Sequence, residues 1–170
     1  ADFFSTETAL IHATLAGLPK FSERKDLPTA DDVIALHLAG SFHYIRDAAL
    51  VGMEMRFAAG VEAAFNGLDD ATLKCLCAFR LTTASNGDPE WYVALAKQRP
   101  EIVAEVLFSY AGKSISGCRE HTTGLYQLEN SADFEAVAAI VVPRLLEDFP
   151  VRSHLNQLPA NLDPLLKSAL

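Results

Sequence analysis

The residues from Asp88 to Gly117, DPEWYVALAKQRPEIVAEVLFSYAGKSISG, constrain the fold more than any other stretch. Asp88 can accept hydrogen bonds from the free N–H groups of a first helical turn, and Pro89 suits the next position because its missing N–H is no loss there. The helix they open carries Trp91, Ala94, Leu95 and Gln98 along one side. Arg99-Pro100 interrupts it, because a residue before proline is driven out of the α region. Pro100 then opens a second helix, with Glu101 at the positive end of its dipole. In it Ile102, Val103, Val106, Leu107 and Tyr110 recur at helical spacing, while Glu101, Glu105, Ser109 and Lys113 fall on the opposite side. Gly112 and Gly117 are the available stops. So short a link folds the two helices antiparallel, and a pair this small cannot bury both apolar faces alone. Further helices must pack against it.

The rest of the chain supplies them. Ser5 or Thr6 caps a short helix with Leu10, Ile11, Thr14, Leu15 and Leu18 on its apolar side, and residues 17–28 read as a loop. Thr29, followed by Asp31 and Asp32, starts a helix that ends near Gly40. Ser41 opens a longer one reaching Phe65, apolar almost all round through Phe42, Tyr44, Ile45, Ala48, Ala49, Val51, Met53, Met55 and Phe57. Such a helix is expected at the centre, covered on several sides. Its narrow polar stripe of His43, Arg46, Asp47 and Glu54 has two readings: a ligand groove, or a solvent-facing ridge with local ion pairs, and the ridge is the simpler. Asn66-Gly67 is a turn, Asp69 or Asp70 caps a helix bearing Leu73, Leu76, Cys77, Arg80 and Leu81, and Ser85-Asn86-Gly87 ends it. Residues 118–130 are irregular apart from a short helix around Thr122–Leu128. Ser131 caps a helix over 132–149 that Pro143 should kink or split. A further turn follows at Leu155 and Leu158, and Asn161 caps a last helix to Leu170. No stretch alternates with period two between hairpin turns, so no sheet is expected.

The fold class is therefore all-α. Shifted by 43 positions, Asp88 aligns with Ser131, Trp91 with Phe134, Ala96 with Ala139 and Pro100 with Pro143. That shift lies in the range of about 40–47 residues typical of HEAT and armadillo units. The expected arrangement is a set of antiparallel pairs stacked as a HEAT-like right-handed α-solenoid, with a compact irregular bundle as the alternative. Residues 1–170 form one domain, divisible into 1–87 and 88–170. Starting at Ala1 and stopping at Leu170 inside a helical pattern, the chain reads as a fragment of a longer one.

Charge and motifs narrow the function. A net charge of −8 without a Lys/Arg cluster argues against nucleic acid, whose affinity comes mainly from those residues. No apolar run approaches the ~20 residues that span a bilayer. With no N-terminal basic-apolar signal and an odd 3 cysteines, a reducing cytoplasm is the expected compartment. Gly112-Lys113-Ser114 ends like a phosphate-binding loop. Leu107 stands where that loop needs glycine, and the tripeptide closes a helix rather than opening one. Cys75, Cys77, Cys118 and His121 are zinc-ligand types, but Cys75 and Cys77 diverge by about 200° on a helix. The five histidines include no HExxH, and no G-x-S-x-G occurs. No cofactor and no catalytic residue is expected.

Trp91, Leu95, Pro100, Glu101 and Val106, with Leu145, Leu146, Phe149 and Pro150, form a pattern of packing motifs. An aromatic–x–x–leucine unit precedes arginine-proline–glutamate, and a leucine-leucine–x–x–phenylalanine-proline segment follows. It resembles the helical-repeat region of large bacterial NTPases of the NACHT/STAND type, over about residues 88–170. The resemblance implies a sensor or scaffold segment with no catalytic residues. The expectation is a non-catalytic segment that binds a protein partner or neighbouring domains, and self-associates through exposed repeat ends. The alternative of another class is a helical bundle with a small-ligand or reaction site around His43, Arg46 and Glu54.

Overall fold

Two helix starts show the capping chemistry written into the chain. Thr29 accepts from the Asp32 N–H at 3.2 Å while the Asp32 carboxylate accepts from the Thr29 N–H at 3.3 Å, a reciprocal box. Asp69 accepts from the Thr72 N–H at 2.8 Å. The computed structural model describes residues 11–60, 63–84, 87–117, 119, 121–149 and 158–169. Residues 11–17 are helical, and a 3₁₀ turn follows at Leu18–Glu23. Then come α1 (Ala30–Leu38), α2 (Arg46–Ala59), α3 (Asp70–Leu81), α4 (Glu90–Gln98), α5 (Pro100–Ser116) and α6 (Leu125–Asn130). A second 3₁₀ turn, Ala132–Phe134, leads into α7 (Glu135–Glu147), and α8 spans Leu158–Ser168. The described residues contain no strand.

Alternate helices pack on one another. α1, α3, α5 and α7 form one row, each against the next; the turn Leu18–Glu23 lies on α2, α4 on the turn Ala132–Phe134, and α6 on α8. Arg99 meets Asp70 at 2.9 Å and Lys74 meets Glu105 at 2.7 Å, so α3 and α5 run in the same direction. Lys97 meets Asp133 at 2.8 Å, and the Arg144 guanidinium lies 3.8 Å from the Phe108 ring centroid. Both contacts join residues 36 apart, the first between α4 and the turn Ala132–Phe134, the second between α5 and α7. A single buried cluster extends from Val33 to Leu165, crossing the 87/88 boundary. Within it Tyr92 touches Trp91 and Phe134, with ring centroids 5.8 and 5.5 Å away. Gly124 starts α6 with φ +95, and a Cβ there would come within 2.6 Å of Leu107 Cδ1, so both backbone and packing call for glycine.

Several local expectations are corrected. The helix expected from Ser41 to Phe65 is only Arg46–Ala59. Ser41 donates its N–H back to Leu36 O at 3.0 Å, closing α1 around Gly40 at φ +81, and so cannot open the next helix. Part of α2 lies at the surface, where Val51 is 44% exposed. The surrounded helix is α3, buried at every position from Cys75 to Leu81. Asp88 caps nothing; α4 starts after Pro89, and the carboxylate goes to Arg80. The buried face of α4 is Trp91, Tyr92, Leu95 and Ala96, rather than one including Ala94 and Gln98. Gly112 does not stop α5, which continues to Ser116. Ser131 makes no side-chain cap bond, and Asn161 lies inside α8, donating to Arg119 O at 3.0 Å. α7 runs through Pro143 on its exposed side, whereas Pro100 begins α5, so the 43-residue echo does not join equivalent positions. The loop over 17–28 contains the Leu18–Glu23 turn. The expected cap at Ser5 or Thr6, the Ser85-Asn86 stop and the turn at Leu155 lie outside the described residues.

Candidate functional site

The polar stripe of α5 does not face open solvent along its whole length. Asp31, in the first turn of α1, accepts from Ser109 Oγ at 2.8 Å and from Lys113 Nζ at 2.6 Å. One turn earlier, Glu105 pairs with Lys74 of α3. These contacts lie along a groove with two hollows. One, of about 640 Å³, lies between the Ser22–Asp31 segment, the start of α3, and Glu105, Val106 and Ser109 of α5. The other, of about 500 Å³, lies between α5 and the end of α7, lined by Phe108, Ser109, Gly112, Ile115, Leu145 and Phe149, with Lys113 and Asp148 at its rim. Ser109 lines both, so the two hollows meet α5 at that residue.

Several charged residues of the walls are paired: Glu23 with Arg56 at 2.8 Å, Arg24 with Asp26, Lys74 with Glu105, Asp31 with Lys113. Arg56 also donates to the carbonyls of Ala64 and Asn66, tying the wall to the turn after α2. Hydrogen bonds from Lys113 and Ser109 hold the Asp31 carboxyl below its ordinary range, and the Thr72 N–H does the same for Asp69. Both shifts run away from the neutral range that a general acid or base needs. The floor, with Leu27, Val106, Phe108 and Leu145, is apolar.

Gly112 stands inside a helix, yet a Cβ there would meet nothing within 4 Å. Glycine costs a helix interior roughly 0.5–1 kcal/mol relative to alanine. Gly112→Ala is therefore expected to raise the unfolding free energy by about that amount, measured by urea denaturation. The fold does not call for glycine here.

The stripe singled out from sequence is brought only partly together. Arg46 pairs with Asp47 at 2.8 Å and sits 4.7 Å over the exposed Phe42 ring. His43 stacks on Tyr44 with centroids 4.8 Å apart, and its Nδ1 accepts from the Ile45 N–H at 3.4 Å. Glu54 is exposed, about 12 Å further along α2 at the helical rise. None of the four lines either hollow. Nearby, burial and the charges of Arg119 and Arg46 push His37 below its ordinary pKa.

Other motifs resolve into packing. Lys113 is occupied by Asp31, and Ser114 is fully buried, so the GKS tripeptide ends α5. Cys75 and Cys77 are free thiols; burial pushes Cys75 up to about 12 and Cys77 higher still. Cys118 lies outside the described residues and His121 is exposed. Among the described residues no three His, Cys, Asp or Glu side chains are grouped to hold a metal ion, and no helix is long and apolar enough to cross a membrane. The residues overlooked from sequence are Asp31, Ser109 and Gly112. A glycine inside an amphipathic helix, one position before Lys113 on its polar stripe, was the available signal. No family model, curated protein or solved structure matches the chain.

Proposed function

We propose that the chain is a non-catalytic scaffold, a HEAT-like right-handed α-solenoid segment whose groove over α1, α3, α5 and α7 binds a segment of a partner protein. The observation that carries this is a pair of hollows that share Ser109 along a row of helices, with apolar floors and several paired charges on their walls. The row packing and the 36-residue offset support the solenoid, since stacked pairs present one continuous helical face to partners. The packing motifs that resemble the repeat region of NACHT/STAND-type NTPases support a place in the sensor region of such a protein, in the cytoplasm. The partner is a protein, with no role for nucleic acid or membrane. A small ligand is a second reading, favoured by one observation: about 640 Å³ falls in the range of small-molecule sites.

Ser109→Trp places a large side chain where the hollows meet. Peptides selected from a random display library on the wild-type chain are expected to bind this variant at least tenfold more weakly by fluorescence polarisation. A library that yields no binder, or binders indifferent to the substitution, would sink the proposal.

A further inference from the structure

We infer that the α5–α7 end of the groove receives residues 11–17 of a second copy of this chain. This rests on reading the groove as a protein-binding surface and names its occupant. Every residue from 11 to 17 is exposed, and Ile11 and Leu15, one helical turn apart on the same face, are 52% and 47% exposed. Two aliphatic anchors at i and i+4 are the minimum that a helix presents to an apolar groove. The segment, IHATLAG, contains no Asp, Glu, Lys or Arg. With a net charge of −8, two copies repel over most approaches, and an uncharged helix can cross from either copy to the other without adding to that repulsion.

The receiving end is complementary. Phe108, Ile115, Leu145 and Phe149 supply an apolar lining, and the rim carries one charge of each sign, Lys113 and Asp148. Gly112 leaves the floor bare, so an incoming helix can approach the α5 backbone closely. Each copy carries both the helix and the groove. Reciprocal exchange, each copy lending its helix to the other's groove, gives a two-fold dimer with two identical contacts. Each contact is short, so the dimer is weak and depends on concentration.

Sedimentation velocity of the full chain over a concentration series, with Leu15→Glu and Gly112→Trp, tests this. Leu15 is on an exposed helix and Gly112 faces open space, so both variants should keep the wild-type circular-dichroism spectrum. The wild type is expected to dimerise, and each variant to dissociate at least tenfold more readily. An equimolar mixture of the two should associate more strongly than either variant alone and more weakly than the wild type, because it restores one of the two contacts. A wild type that is monomeric throughout, a dimer neither variant weakens, or a mixture that associates no more than either variant overturns the second-copy occupant. If peptides selected on the wild type still lose binding with Ser109→Trp, the groove reading survives that result; if they do not, both fall together.

Discussion

Arg80→Ala is expected to lower the unfolding free energy by about 3–5 kcal/mol, the cost of leaving one member of a buried ion pair alone. Arg80 is 5% exposed. Its guanidinium donates to Asp88 Oδ1 at 2.7 Å, to Gly87 O at 2.9 Å and to Thr83 O at 3.2 Å, and lies 5.9 Å from the Tyr92 ring centroid. Alanine would strand the Asp88 carboxylate, whose side chain is only 13% exposed, and remove a donor from two carbonyls. For a chain of this size the melting temperature should fall on the order of 10 °C. Chemical denaturation of Arg80→Ala, Asp88→Ala and the double variant checks this. The double variant should cost less than the two singles summed, because it leaves no lone charge. A loss below about 1 kcal/mol for Arg80→Ala would put the pair in the class of surface bridges and remove it as the clasp between α3 and α4.

The same pair shows where local rules stop. Asp88 before Pro89 has the composition of a helix cap, and nothing nearby in the sequence indicates that an arginine eight positions back will claim the carboxylate. Thr29 and Asp69 behave as read because no buried cation competes for them. The faces of α5 were legible for a related reason: nine of its residues are buried, so helical periodicity and burial agree. At residues 41–45 the run of apolar side chains suggested helix, but Ser41 spends its N–H on the end of α1. The contacts between helices do not follow one period. α5 and α7 are offset by 36, whereas Arg99 with Asp70 joins residues 29 apart, and the 43-residue echo matches neither.

The groove was less legible than the helices, for a physical reason. It exists only where residue 31 meets residues 109 and 113, and where the last turns of α5 meet residues 145–149. A polar stripe reads the same from sequence whether it faces water or another helix's first turn. What distinguishes the two is a residue whose type serves neither local structure nor packing, and Gly112 is such a residue.

Gly52 is the opposite case, and Gly52→Ala is expected to destabilise the chain by at least about 2 kcal/mol through overpacking against backbone. Gly52 lies in the middle of α2 and is buried; a methyl group there would overlap the Leu18 carbonyl oxygen and come to 3.5 Å from Phe21 Cβ. Helix propensity favours alanine by about 1 kcal/mol, so a net loss requires the clash to exceed that gain. It should, because a backbone carbonyl in the Leu18–Glu23 turn cannot rotate aside as a side chain can. The turn must lift from α2, and with it go Ser22 and Glu23, which wall the larger hollow, and the Glu23–Arg56 pair. Two readouts separate this from a general loss of stability. Urea denaturation should give Gly52→Ala and Gly112→Ala opposite signs, although both replace glycine by alanine inside a helix. Limited trypsin digestion at Lys20, Arg24 and Lys25 should accelerate in Gly52→Ala under conditions where circular dichroism remains native. A Gly52→Ala chain as stable as the wild type, cut no faster at those sites, would show that the turn does not rest on α2 and that the groove lacks this wall.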